Sequence, residues 1–232
     1  MRLLLVGRGR MGRLVESLAA DYGAEVAGVL DRASNAGGSG ATAERCRGVD
    51  VAIDFSTAAA TLETLPRLAA HGVSLVIGTT GWLAREAELR EAVARAGVGA
   101  VVAANFSLGA NVLEAVSESA ARLLSADGYS AFVHEAHHSA KQDAPSGTAL
   151  ALRRALERGG YARAIDVAST RAGFIPGTHT VGFDAQAETL ELRHTVRDRA
   201  TFAHGALAAA RWVRGRKGWF TMRDVLGLTL TS

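Results

Sequence analysis

The chain has 232 residues, 48% hydrophobic and 21% charged, enough for one large globular domain or two small ones and unlike a disordered or fibrous chain. The net charge of +3 is spread along the sequence, with one local cluster at Arg211 to Lys217. No basic stripe is interleaved with aromatics, so nucleic acid is not an expected partner, and a mild positive field suits small anions instead. A single cysteine, Cys46, excludes an intrachain disulfide or a cysteine metal cluster and suits a reducing cytoplasm. No apolar run is long enough for a membrane span, and the short one at the start does not make a signal peptide.

In chain order, Arg2 to Val6 reads as a buried strand, and Gly7-Arg8-Gly9-Arg10-Met11-Gly12 follows at once. Met11, Leu14, Val15, Leu18 and Ala19 then fall at helical spacing. Strand, G-x-G-x-x-G and helix together form the context that a dinucleotide fingerprint requires. Gly7 permits the tight turn, Gly9 lets the backbone approach a pyrophosphate, and Gly12 lets the helix pack on the strand. The plainer alternative is an ordinary glycine turn. Against it stands a second strand, Glu25 to Leu30, ending at Asp31. That acid is about 20 residues beyond the last glycine, where one should meet the ribose hydroxyls. Asp31 favours NADH by repelling a 2′-phosphate, whereas Arg32 offers such a phosphate a partner, so both NADH and NADPH fit.

Ala33 to Thr42, rich in Gly, Ser and Ala, reads as a flexible loop. Strand and helix then alternate. Strands are expected at Asp50 to Phe55, Val73 to Ile77 and Val98 to Ala103, with helices at Thr61 to His71 and Ala84 to Ala96. This order implies a doubly wound parallel sheet of the Rossmann type, whose strand C-termini line the cofactor crevice. Gly78-Thr79-Thr80-Gly81 and Ala104-Asn105-Phe106-Ser107 both lie at such ends.

After Ser107 the alternation stops. A helix at Asn111 to Ser125 and a strand at Tyr129 to Val133 lead into a polar loop, His134 to Thr148, followed by a helix at Ala149 to Leu156. The loop holds His134, His137, His138, Lys141 and Asp143. Ser146 is placed to cap the helix, and the backbone N–H groups of Gly147 and Thr148 stand at the positive end of its dipole. Proton donors beside an anion seat suit a small acidic substrate. A solvated loop with an ordinary cap is the plain alternative. Strands at Ile165 to Thr170, Thr178 to Asp184 and Glu188 to Val196 follow. The last alternates, with Leu190, Leu192 and His194 on one face, so a smaller α+β domain with a mixed or antiparallel sheet is expected. His179 and His194 are read as structural. A helix at Phe202 to Arg214 and a short strand at Trp219 to Met222 complete the chain. No metal ligand set is read in the sequence.

Glu135 to Ala149 matches Glu-x-His-His-x-x-Lys-x-Asp-x-Pro-Ser-Gly-Thr-Ala, and in this the chain resembles the 4-hydroxy-tetrahydrodipicolinate reductases (dihydrodipicolinate reductases) of bacterial lysine biosynthesis. Arg171 to His179 resembles a second family segment, and His194 and Arg199 fall on family positions. The resemblance implies a cytoplasmic, NADH- or NADPH-dependent reductase of the diaminopimelate pathway. It implies a cofactor domain at 1–105 and 206–232, and a substrate and tetramerisation domain at 106–205. It gives His137 and Lys141 catalytic roles. It gives His138, Lys141, Ser146, Gly147 and Thr148 to a small cyclic dicarboxylate. The cofactor falls to Gly7, Arg8, Gly9, Arg10, Met11, Gly12, Asp31, Arg32, Gly78, Thr79, Thr80, Ala104, Asn105 and Phe106. A homotetramer built through the substrate-domain sheet is implied as well. The glycine loop is one residue shorter than in longer members, and the chain is shorter too. Two other readings are another two-domain NAD(P)-dependent amino-acid dehydrogenase and a non-catalytic NAD-sensing protein. The first does not account for His137-His138-x-x-Lys141 joined to Ser146-Gly147-Thr148, and the second would come with a recognition helix or another output module, of which the sequence shows none.

Overall fold

A computed structural model describes residues 1–126 and 128–228. The expectation that 229–232 belong to the cofactor domain lies outside these residues. The chain divides into two compact units, Met1–Ser107 with the segment from Ala200 onward, and Leu108–Arg199. Among the described residues no helix is long and apolar enough to cross a membrane.

The elements run β1 (Arg2–Val6), α1 (Arg10–Leu18), β2 (Glu25–Leu30), α2 (Ala43–Cys46), β3 (Val51–Asp54), α3 (Ala58–Ala70), β4 (Ser74–Ile77), α4 (Glu86–Ala96) and β5 (Gly99–Val102). The second unit contributes α5 (Leu108–Leu124), β6 (Ser130–His137), α6 (Gly147–Arg158), β7 (Asp166–Arg171), β8 (Thr178–Asp184) and β9 (Thr189–Thr195). The chain then adds α7 (Ala200–Val213), β10 (Gly218–Phe220) and α8 (Met222–Val225) to the first.

The first unit holds a six-stranded parallel sheet in the order β10-β5-β4-β3-β1-β2. Successive side chains point to opposite faces, and both faces are covered. Leu3 and Leu5 join Val51, Ile53, Val76 and Val101 on one side, against Val15 of α1 and Leu207 of α7. Leu4 and Val6 join Ala52, Leu75 and Ile77 on the other, against Leu65 and Leu68 of α3 and Leu89 of α4. Two-sided burial is why these strands read as continuous apolar runs, and each leucine so buried stabilises the fold by about 1.5–3 kcal/mol. Five of the seven buried residues of α7 are small, Ala203, Gly205, Ala206, Ala209 and Ala210, beside Leu207 and Val213, so the helix lies close on the sheet. A Cβ at Gly205 would stand 1.7 Å from the Phe106 carbonyl oxygen.

Several expectations need correction here. The first unit runs on to Ser107 and helix α7 starts at Ala200, so 106–107 and 200–205 belong with the first unit rather than the second. Strand β10 stops at Phe220. Thr221 then caps α8, its N–H donating to Asp224 Oδ2 at 2.7 Å, and Met222 is a buried helical residue instead of a strand end. The segment Ala33 to Thr42 is pinned rather than flexible. The Asn35 side chain is buried, donating to Thr64 Oγ1 at 2.8 Å and accepting from the Gly40 N–H at 3.0 Å.

The second unit holds a mixed sheet, β7-β6-β8-β9, with β6 parallel to β7 and antiparallel to β8, and β8 antiparallel to β9. Helices α5 and α6 cover one face through Leu113, Leu152 and Leu156, against Val133, Val181 and Phe183. The main correction concerns β6. The polar run starting at His134 is not all loop, because the strand continues to His137. Its residues alternate, with Val133 and Glu135 fully buried and His134 exposed, so a buried acid takes the place that an apolar residue would hold.

Candidate active site

In the first unit, the turns at the C-terminal ends of the parallel strands gather the predicted cofactor residues. Gly7 has φ +94, and its N–H donates to the Leu30 carbonyl at 2.8 Å. Gly9 is the N-cap of α1, and a Cβ there meets no described atom within 4 Å. At Gly12 a Cβ would lie 2.2 Å from the Gly7 carbonyl oxygen. The loop is therefore tight within and open at Gly9, a cradle that fits a pyrophosphate at a helix N-terminus. Arg8, Arg10 and Arg32 are exposed, and Met11 is half-buried. Asp31 uses Oδ1 on its own turn, accepting from the N–H groups of Ala33 at 3.1 Å and Ser34 at 2.9 Å, and from the Ser34 hydroxyl at 2.8 Å. The Ser34 hydrogen bonds lower its pKa and keep it an acceptor.

Across the sheet, Gly78 is held by Phe55, since a Cβ would fall 2.1 Å from that ring. Phe55 in turn meets Phe106 edge to face at 6.0 Å. Thr79 Oγ1 accepts from the Ser56 N–H at 2.9 Å, while Thr80 and Ala104 are exposed and Asn105 is half-buried. Below this turn Asp54 is fully buried, and accepts from the Ser56 N–H at 3.0 Å and the Thr61 hydroxyl at 2.6 Å. Burial raises its pKa, and the hydroxyls oppose that rise.

In the second unit the chemistry centres on Glu135. Arg171 grips it with two parallel bonds, Nη1 to Oε2 at 2.9 Å and Nη2 to Oε1 at 2.7 Å. Oε1 also accepts from the Ser146 N–H at 3.2 Å, and Oε2 is hydrogen-bonded to His137 Nδ1. Burial pushes Glu135 up, but Arg171, Ser169, His137 and Ser146 outweigh it and hold the acid at about 2. His137 is lowered, first by burial and then by the charges of Lys141 and Arg171, with Glu135 opposing. Ser146 caps α6, accepting from the Ala149 N–H at 3.2 Å, and shares a hydrogen bond of 3.1 Å with His179 Nε2. Lys141 donates to Asp143 at 2.7 Å. His138 and Gly147 are exposed, Thr148 is half-buried, and a Cβ at Gly147 meets no described atom within 4 Å. One strand end, one loop and one helix start thus bring His137, Lys141, Ser146, Gly147 and Thr148 into a single unit.

Family models described as "Dihydrodipicolinate reductase, N-terminus" and "Dihydrodipicolinate reductase, C-terminus" match residues 1–106 and 109–226. The chain belongs to the dihydrodipicolinate reductase family. The 4-hydroxy-tetrahydrodipicolinate reductase of Thiobacillus denitrificans is 40% identical over 266 aligned positions, covering 98% of this chain and 99% of the relative. A solved structure, a dipicolinate-bound dihydrodipicolinate reductase from Paenisporosarcina sp. TG-14, is similar with a TM-score of 0.76 at 21% identity, covering 95% of this chain and 97% of that one. An amine dehydrogenase from Mycobacterium smegmatis is similar with a TM-score of 0.64 at 13% identity, covering 97% and 95%. These two likenesses concern the fold, and they agree with the expected Rossmann sheet and second mixed sheet.

Within the dihydrodipicolinate reductase frame, the sequence assigns no role of their own to Glu135, Arg171 and Asp54, and it gives His179 a structural one. Glu135 opens the matched motif, which was its signal. Arg171 opens the second family segment, but its pairing with Glu135 had no signal, because it arises only through the β6–β7 register that sets Arg171 opposite His137. His179 is 5% exposed and meets His137 edge to face, with ring centroids 5.1 Å apart. Ligand-type atoms of Glu135, His137 and His179 lie within 4.8 Å of one another. The Arg171 guanidinium on both Glu135 oxygens already supplies the positive charge there and opposes a metal ion.

His179 also gives a pH signature. Burial, then the nearby His137 charge, lowers it from the ordinary 6.5 to about 4. Between these values the unfolded chain takes up a proton that the folded protein refuses. The stability is therefore full above pH ~6.5 and is lost as pH falls towards 4, by up to ~3 kcal/mol. Thermal melts across this window are expected to show a falling Tm for the wild type and a flatter line for His179→Gln. Parallel lines would remove His179 from the effect.

Proposed function

We propose that this chain reduces 4-hydroxy-tetrahydrodipicolinate to tetrahydrodipicolinate, consuming NADH or NADPH and releasing water, in the diaminopimelate route to lysine. The observation that carries the reading is the run from Glu135 to Thr148, which sets a carboxylate-bonded histidine, a lysine and a capped helix start on consecutive elements of one unit. The dipicolinate bound by the Paenisporosarcina relative supports a small dicarboxylate as substrate. The open glycine turn of the first unit supports a dinucleotide. An amino-acid dehydrogenase would use the glycine turn equally well but leaves the second-unit run unexplained.

Loss of water gives the family's substrate a conjugated, electron-poor dihydropyridine ring. When bound, the nicotinamide cofactor supplies a hydride for ring C4. The conjugated electrons then move towards C3, where a proton must be delivered. His137 delivers it, and because burial lowers its pKa its imidazolium is a stronger acid than that of an unperturbed histidine. Lys141 places a positive charge against the electron density that builds up, exchanging Asp143 for the substrate. The N–H groups at the α6 start, with the Thr148 hydroxyl, take one carboxylate, and His138 and Lys141 meet the anionic side of the ring. The cofactor residues are Gly7 to Gly12, Asp31 and Arg32 at the adenosine and pyrophosphate end, and Gly78 to Thr80 and Ala104 to Phe106 at the nicotinamide end. We assign the first unit to the cofactor and the second to substrate and assembly. The family pattern supports a homotetramer built through the second-unit sheet, and the single cysteine supports a cytoplasmic enzyme.

Addition of the substrate is expected to oxidise both NADH and NADPH, followed by the fall in their absorbance. Dipicolinate is expected to inhibit competitively against the substrate at concentrations near its KM. Oxidation that ignores the substrate would overturn the reaction, and indifference to dipicolinate would overturn the pocket.

A further inference from the structure

We propose that Glu135, clamped by Arg171, is a positioning residue that fixes the ring tautomer and orientation of His137, so that Nε2 is the nitrogen that carries the transferred proton. The proposal rests on the reading of His137 as proton donor for its catalytic consequence, but not for its structural one.

Glu135 sits on the central strand β6, opposite Ser169 of β7 and His179 of β8, and is 0% exposed. An ionised carboxylate has no hydrogen to donate. The nitrogen that faces it, Nδ1, must therefore carry a proton in every state of the ring, and only Nε2 is left to gain and lose one. The carboxylate is kept ionised by Arg171, whose Nη2 also donates to the Asp143 carbonyl at 2.6 Å and ties the loop to the same clamp. Through the Ser146 N–H, Glu135 holds the start of α6 as well, so one carboxylate registers both the proton donor and the anion seat. The Nε2 edge of the ring lies along Gly177, where a Cβ would come within 3.2 Å of Nε2. The missing side chain leaves that edge room. Around the ring stand Glu135 from its own strand, Arg171 from β7, His179 from β8 and Lys141 from the loop, with Asp143 paired to Lys141. Glu135, in direct contact with the ring, favours its protonated form, and the positive charges of Lys141 and Arg171 oppose it.

The first measurement is nitrogen NMR of the full chain with labelled histidine, with His137→Gln identifying the His137 signals. At pH 8, Nδ1 is expected in the protonated range and Nε2 in the unprotonated range. An Nε2–H tautomer would overturn the proposal whether or not His137 is the donor. The second uses Glu135→Gln combined with Arg171→Met, which removes both buried charges together and leaves neither unpaired. Its NADH Kd is expected within about two-fold of wild type, with kcat lower by roughly 10- to 100-fold. The imidazolium loses its anionic partner, so the fall of kcat on the basic side is expected at lower pH. A folded double variant with wild-type kcat and an unmoved basic limb would overturn the positioning role. Should that variant fail to fold, the wild-type spectrum decides alone. Should His137→Gln keep its kcat, the donor reading fails separately while the tautomer still tests Glu135.

Discussion

Replacing His137 with glutamine is expected to lower kcat by about 10²- to 10⁴-fold and to leave the NADH dissociation constant unchanged. Glutamine has nearly the length of histidine and can still hydrogen-bond Glu135, so the Glu135–Arg171 pair keeps a neighbour and the strand end its packing. What it lacks is a titrating proton. The loss should appear in turnover, and most strongly where proton delivery limits the rate. Cofactor affinity belongs to the glycine turn of the other unit and has no reason to move. Steady-state kinetics beside a fluorescence titration with NADH checks both halves. A kcat within a factor of a few of wild type would leave His137 with no proton to deliver and reduce its role to binding.

Valine at Gly9 and valine at Gly12 are expected to fail for different reasons. The space around Gly9 is open, so Gly9→Val folds with an unchanged Tm but fills the path of the pyrophosphate, raising the NADH Kd about tenfold or more. A side chain at Gly12 would meet the Gly7 carbonyl oxygen at 2.2 Å, and backbone cannot rotate away as a flexible side chain does. Gly12→Val must open the turn or lift α1, costing ~1–3 kcal/mol of stability and cofactor affinity together. Melts and NADH titrations on the two variants separate the cases. Gly9→Val that binds NADH like the wild type would take the glycine turn out of the cofactor site.

Most of the fold was legible because the strands of the first unit are buried on both faces and bounded by glycine turns. Runs such as Arg2 to Val6 and Val73 to Ile77 admit few other readings. The second unit was harder at one point. Period-two alternation marks strands only while the inward residues are apolar, and β6 turns Glu135 inward and His134 outward. Polarity therefore suggested a loop where the strand continued. For the same reason the helix start was easy and the acid behind it was not. Ser146 announces a cap by local chemistry, whereas the grip of Arg171 on Glu135 depends on strands 36 residues apart in sequence. Thr79 shows the limit from the other side. Its place at a strand end was evident, but not that its hydroxyl is engaged by the Ser56 N–H.

The first unit is written in two pieces, and this sets an order of events on the ribosome. A nascent chain that has emerged as far as Arg199 holds the whole second unit, Leu108–Arg199, and can close that core at once. The earlier-made sheet must wait. Part of its Leu3, Leu5, Ile53, Val76 and Val101 face is covered by Ala203, Ala206, Leu207 and Ala210 of α7, and one of its two edge strands is β10, all still to be made. For the time taken to translate 108–199, at about 5–20 residues per second, the part of that apolar face not covered by α1 stands open to water and to chaperones. The inserted unit thus matures first, and the unit that begins the chain is the last to be finished.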